Sequence, residues 1–260
     1  MSIDPGESSA HYRLGIEYAQ YSLFQNAIDE FNLALKYDPN NFKAYDKKGL
    51  VYFGIKEFEQ ARQAFEKVIS IQPRYAQAYV NLGMVHYVEG KRAEALQAWE
   101  KSAGISSSDN DGKAYNNIGN IYKEDKNFVQ AVSYYEKALS QNPVNSLYLN
   151  NLAETHRLSG DLAKAEEALK RSLAANPKGM LTHFNLGTLY KAQEKTKESI
   201  TAFKQSLMVN PGLSDAHFEI AKIQLAQKNT EAAKHSIKKA LSQDPNNSKY
   251  KEFLDHIQSS

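Results

Sequence analysis

Apolar and polar residues follow one another along this chain with the period of a helix, and the pattern itself repeats. In AYNNIGNIYKEDKNFVQAVSYYEKALSQNP, residues 114–143, Tyr115, Ile118, Gly119 and Tyr122 fall on one stripe. Val129, Ala131, Val132, Tyr135, Ala138 and Leu139 fall on a second. Spacings of three and four put each set on one face of a 3.6-residue helix. Asn127, just before the second run, predicts an N-cap, and Pro143 a stop beyond its end. The unit is a helical hairpin with a short polar turn. One hairpin cannot bury both of its stripes, so copies are expected to stack on either side of it.

Seven copies span residues 8–41, 42–75, 76–111, 112–145, 146–179, 180–213 and 214–247, with steps of 34 residues and one of 36. The eighth slot of each copy is small: Gly15, Gly49, Gly83, Gly119, Ala153, Gly187 and Ala221. Small residues are expected where two helix backbones approach closely. The twentieth slot is small as well, with Ala27, Ala61, Ala95, Ala131, Ala165, Ser199 and Ala233. Large residues occupy the seventh slot, apart from Lys48, and the twenty-fourth, with Phe31, Phe65, Trp99, Tyr135, Leu169, Phe203 and Ile237. Pro39, Pro73, Pro143, Pro177, Pro211 and Pro245 close six copies, where a missing N–H and a fixed φ terminate a helix.

This signature of small, large and proline positions resembles the tetratricopeptide repeat, whose units are 34-residue helix–turn–helix hairpins. The resemblance runs from Ser8 to about Asn247. It implies an all-α fold, a right-handed α-solenoid of tandem hairpins. Beyond it, SKYKEFLDHIQ places Tyr250, Phe253, Leu254 and Ile257 on one stripe, which predicts a C-terminal capping helix over 248–258. No linker-like stretch divides the chain, so a single solenoid over 1–260 is the expectation. Two irregularities stand out. Pro5 lies 34 residues before Pro39, giving SIDP the phase of the end of a preceding copy. Copy three ends in AGISSSDND, where Ser, Asp and Asn favour local side-chain-to-backbone bonds. A looser junction is expected over 104–112, dividing three copies from four.

Composition narrows the function. Forty-two per cent apolar and 24% charged residues suit a folded chain, and a net charge of +2 gives no argument for nucleic acid. No apolar run is long enough for membrane insertion, and MSIDPGESS lacks the apolar core of a signal peptide. The absence of cysteine excludes disulfides, thiolate catalysis and zinc–cysteine sites, and is compatible with the cytoplasm. His11, His183 and His217 share the fourth slot with tyrosines, and His86 and His156 share the eleventh, so packing rather than metal ligation is expected of them. No HExxH, Walker-type, GxSxG or EF-hand motif occurs. No catalytic, metal or cofactor site is expected.

The chemistry lies on the inner face. In a stacked array the first helix of each hairpin lines the concave surface, and the sixth slot there holds Asn81, Asn117, Asn151 and Asn185. An Asn amide both donates and accepts, so a row of them can bind the peptide groups of an extended chain. Asn116, Asn120, Asn150 and Lys113 lie close by, and Lys123, Arg157 and Lys191 share the twelfth slot, suiting an acidic ligand. Copies one to three present apolar groove residues instead: Ile16, Leu50, Phe53, Val80, Met84 and Tyr87. The row resembles the asparagine ladder of O-linked N-acetylglucosamine transferase repeats. The carboxylate clamp of chaperone-binding relatives is matched only at two of five places, by Asn120 and Asn151 among Asn116, Asn120, Asn151, Leu181 and Asn185. The sequence thus indicates a non-catalytic scaffold binding an extended, acidic segment of a protein partner. The alternatives are a self-assembling array, a homo-oligomer, and the targeting arm of a larger enzyme.

Overall fold

A computed structural model describes residues 5–105 and 111–259. Among the described residues there are fifteen α-helices and no strand. They are α1 (Pro5–Gln20), α2 (Phe24–Tyr37), α3 (Phe42–Gly54), α4 (Phe58–Ile71), α5 (Ala76–Val88), α6 (Arg92–Gly104), α7 (Lys113–Glu124) and α8 (Phe128–Gln141). The series continues with α9 (Ser146–Leu158), α10 (Leu162–Ala175), α11 (Met180–Ala192), α12 (Thr196–Val209), α13 (Ser214–Ala226), α14 (Thr230–Gln243) and α15 (Ser248–Ser259). Each copy read from the sequence holds two of them. Two compact units are formed, Met1–Ile118 and Gly119–Ser260, and the division falls inside α7. Residues 106–110, on which the sequence placed the core of a loose junction, lie outside the described residues, as do residues 2–4 of SIDP; Pro5 is the first residue of α1.

What closes five of the seven hairpins is a ring over a glycine. A Cβ built on Gly15 would stand 2.7 Å from Phe31, on Gly49 2.7 Å from Phe65, on Gly119 2.8 Å from Tyr135 and on Gly187 2.6 Å from Phe203. Gly83 meets Trp99 in the same way. The eighth-slot glycine therefore makes room for the twenty-fourth-slot side chain, not for a second backbone as the sequence suggested. Where the eighth slot is Ala153 or Ala221, the twenty-fourth is an aliphatic Leu169 or Ile237, and all four are buried. The twentieth-slot alanines beside them are fully buried, and Ser199 at that slot donates its hydroxyl to the Gly187 carbonyl at 2.7 Å. Burying one such ring contributes roughly 2–3 kcal/mol.

The turns inside the hairpins share one geometry. Ser22, Lys56, Gly90, Lys126, Gly160, Glu194 and Lys228 all have positive φ, and all stand at the fifteenth slot. The next residue sends its N–H back five positions, as from Leu23 to Tyr18 at 2.9 Å, Asn127 to Tyr122 at 2.8 Å and Asp161 to His156 at 2.8 Å. This satisfies a carbonyl left open at the end of the first helix. Asn127 then caps α8 by accepting from the Gln130 N–H, and Asp161 caps α10 through Lys164 N–H.

Between copies, the second helix lies against the first helix of the next where α2 meets α3, α4 meets α5, α8 meets α9, α10 meets α11 and α12 meets α13. At the end, α15 covers α13 and α14: Tyr250 and Ile257 are buried with Ala221, Ala233 and Ile237, and Phe253 and Leu254 pack against that cluster.

Three substitutions test these rules by chemical denaturation. Gly187→Ala is expected to lose about 1–3 kcal/mol through overpacking against Phe203, and Phe203→Leu in the same chain to recover most of it, since Ala153 and Leu169 already form that pair. Lys126→Gly removes a non-glycine residue from the left-handed region and is expected to raise stability by about 0.5–1 kcal/mol after the entropic cost of glycine.

Candidate functional site

In the first unit the slot-six asparagine is tied to the copy before it. Asn81 donates from Nδ2 to Asp46 Oδ1 at 3.0 Å and accepts at Oδ1 from Gln77 Nε2 at 2.8 Å. Asp46 is buried, with Lys47 Nζ 3.2 Å from its other oxygen. Asn117 directs its amide to Met84 Sδ at 3.7 Å and remains half-buried. Lys113 lies 3.2 Å from Asp111 and 3.4 Å from Gln77 Oε1. Of the expected apolar groove, Val80 is buried, while Phe53 packs on Phe58 and Tyr87 on Trp99, with centroids 5.7 and 6.0 Å apart. Leu50 is exposed and, with Ile16, lines an open apolar cleft of about 320 Å³ bordered by Ala19, Phe24 and Gly54.

The second unit repeats the tie. Asn185 donates from Nδ2 to Asn150 Oδ1 at 2.9 Å. Asn150 is itself buried, and its amide lies 2.6 Å from the Ser146 carbonyl, 3.1 Å from Ser172 Oγ and 2.9 Å from Thr182 Oγ1. Asn120 accepts from the Tyr135 hydroxyl at 2.7 Å, and burial pushes the Tyr135 phenol above its ordinary pKa. Asn151 and Asn185 are half-buried.

These positions correct part of the expected site. Asn116 and Asn150 are buried, and Asn81 nearly so, so their side chains do not offer a free surface to a ligand. A polar side chain withdrawn from water needs a partner inside the protein, and for Asn81 and Asn150 that partner sits on a neighbouring copy. Val80 is buried as well, whereas Phe53 and Tyr87 stay half-buried, each with one ring contact inside its own hairpin.

The twelfth-slot cations differ among themselves. Arg157 forks onto Glu154, with both N–O distances 2.8 Å. Lys191 reaches Glu219 across from α11 to α13 at 2.6 Å, and Lys222 contacts the same carboxylate. Burial alone would raise the Glu219 pKa, but its two lysine partners hold it below the ordinary range. Lys123 has no acidic partner among the described residues.

The histidines fill structural places. His183 and His217 hydrogen-bond the carbonyls of Pro177 and Pro211 at 3.0 and 3.3 Å, as the Tyr79 hydroxyl does with Pro73 at 3.2 Å. His11 stacks on Tyr37 and lies 2.6 Å from Glu30. His156 is buried at the eleventh slot, where desolvation lowers its pKa. No group of three metal-ligating side chains occurs among the described residues, and none of their helices is long and apolar enough to cross a membrane.

Models of the tetratricopeptide repeat match residues 42–75, 74–143, 112–178 and 190–257. The APC/C hetero-tetramer Cut9-Hcn1 superposes with a TM-score of 0.73 at 20% identity, over 96% of this chain and 47% of that one, so the chain spans about half of its length. PilF of Pseudomonas aeruginosa gives 0.69 at 19% identity, over 85% and 97% of the two chains. A tetratricopeptide repeat protein of Parabacteroides merdae gives 0.71 at 16% identity, over 97% and 99%. At such identities the likeness concerns the fold. No curated protein sequence matches the chain.

Burial of His156 has a consequence for pH. Its folded pKa lies below the ordinary value of 6.5, so between the two the unfolded chain binds more protons. Its neutral ring supports the fold fully above about pH 6.5 and loses that contribution as the pH falls toward the folded pKa. The thermal midpoint is expected to fall on acidification through this range. His156→Tyr, the residue of Tyr18, Tyr52, Tyr122 and Tyr190 at the same slot, should flatten the decline measured by circular dichroism.

Proposed function

The chain belongs to the tetratricopeptide repeat family, and on that premise we propose that it is a non-catalytic scaffold holding an extended segment of a partner protein against its first helices. The fold is in general a platform for protein–protein interaction, and a similar solved structure is a hetero-tetramer. The observation that carries the reading is the state of the slot-six amides. Asn185 spends one N–H on the preceding copy, which fixes the plane of its amide, and stays half-buried. Its carbonyl oxygen and second N–H have no hydrogen bond among the described residues. An oriented donor and acceptor suit one peptide group of an extended chain. Asn117 in the first unit stands in the same state, with its amide turned to Met84.

Recognition by backbone amides depends little on the partner's sequence. The charge contribution is smaller than the row of cations implied, because Arg157 and Lys191 are already paired with Glu154 and Glu219. Lys123 is the cation that meets an acidic residue of the segment, and an exposed pair of that kind contributes about 0.2–1 kcal/mol. In the first unit, the cleft beside Leu50 is open to an apolar side chain.

The test is affinity capture from the cells of origin by the intact chain and by an Asn117→Ala, Asn151→Ala, Asn185→Ala variant, with helicity monitored in parallel. At roughly 0.5–1.5 kcal/mol for each of three lost bonds, retention of partners should weaken by about one to three orders of magnitude. An unchanged set of retained proteins contradicts the proposal.

A further inference from the structure

The second helices of the last three copies have a surface that the groove does not use. On them the slots 18, 22, 25 and 29 form the exposed outer stripe, which on α12 is Lys197, Thr201, Lys204 and Met208. At slot 25 stand Lys170, Lys204 and Lys238, one on each of α10, α12 and α14. Glu66 and Glu100 occupy that slot on α4 and α6. Counted over whole helices, α10, α12 and α14 hold eight Lys and Arg against four acids, whereas α2, α4 and α6 hold five against six. Lys164, Lys170 and Lys234 pair with acids of their own helix or its cap. Arg171, Lys197, Lys204, Lys238 and Lys239 are exposed and have no acidic partner among the described residues.

We propose that this outer face of α10, α12 and α14 docks on an anionic phospholipid surface. Four observations favour a charged bilayer over other polyanions. The cations are spread across three helices instead of lining a trough, which suits a sheet of headgroups. Four of the five unpartnered cations are lysines, compact charges that act through the field, while planar carboxylates are better held by the forked guanidinium of Arg. No Phe, Tyr or Trp stands on the outer stripe of α10, α12 or α14, so the face lacks the stacking platform that single-stranded nucleic acid needs. Met208, one turn beyond Lys204, is 83% exposed and offers an apolar side chain to the interface.

A cleft at the edge of this face supplies a place for a headgroup. It measures about 300 Å³ and is lined by Leu207, Pro211, His217, Lys239, Ser242 and Gln243. Its donors include the Lys239 ammonium, and no carboxylate lines it. The attraction weakens with salt, because charges outside the Debye length are screened.

Sedimentation of the intact chain with vesicles tests the proposal. Phosphatidylcholine vesicles containing phosphatidylglycerol should retain it at low salt and release it at high salt, and pure phosphatidylcholine should not retain it. Each lysine close to such a surface contributes a factor of about five, so Lys204→Gln with Lys238→Gln should weaken partitioning about 30-fold. Lys67→Gln with Lys101→Gln, on the second helices of the first unit, should leave it unchanged, and unaltered helicity shows that both variants fold. Equal losses from the two pairs, binding that ignores lipid charge, or retention of duplex DNA or polyglutamate with none of vesicles would each overturn the assignment.

Discussion

An aromatic ring laid on a bare backbone closes most of the hairpins of this protein, and the remaining architecture follows from that contact. A glycine without Cβ lets the ring of the second helix reach the first, and the buried alanine at the twentieth slot keeps the two helices near enough for it to do so. The hairpin so formed still has an apolar flank on each helix. The next copy covers one of them, and α15 covers the last. Because the copies solve the same packing problem in closely similar ways, a residue's slot fixes which neighbouring element it faces. Tyr79, His183 and His217, all at the fourth slot, reach the carbonyls of Pro73, Pro177 and Pro211 for this reason, phenol and imidazole alike.

The same rule divides the polar residues of the first helices into two kinds. Some join copies: Asp46 with Asn81, and Asn150 with Asn185 and Thr182, form buried or half-buried hydrogen bonds between neighbours. Others remain partly open, and an amide fixed on one side is a better ligand for a peptide group than one free to rotate, since less entropy is lost on binding. On the proposed function, stacking and recognition draw on the same side chains. The charged residues show a parallel split, with the inner cations Arg157 and Lys191 neutralised by neighbours and the outer lysines of α12 and α14 left facing solvent.

Much of the fold was legible because its signal recurs seven times. The helices, the Asn127 cap and the stripe of α15 all follow from spacing alone. Other features had a signal that spacing did not isolate. The pairing of glycine with rings and of Ala153 and Ala221 with Leu169 and Ile237 is present in the sequence, but it emerges only when the eighth and twenty-fourth slots are compared within each copy. The bonds from Asn81 to Asp46 and from Asn185 to Asn150 join residues 35 apart, one position off the repeat, where a search at 34 does not look. The left-handed turns were hidden because Ser22, Lys56, Lys126, Glu194 and Lys228 adopt a conformation that only Gly90 and Gly160 advertise. An asparagine column indicates a polar row. Whether each amide faces a ligand or its neighbour depends on the acceptor across the gap.

The central claim is that a partner lies on the first helices and not on the second. A photo-crosslinking amino acid placed at Thr188, on α11 beside Asn185, and separately at Thr201, on the outer stripe of α12, measures this most directly. Covalent capture of a protein partner from position 188 and none from position 201 is the predicted result. Capture from 201 with none from 188 would contradict it.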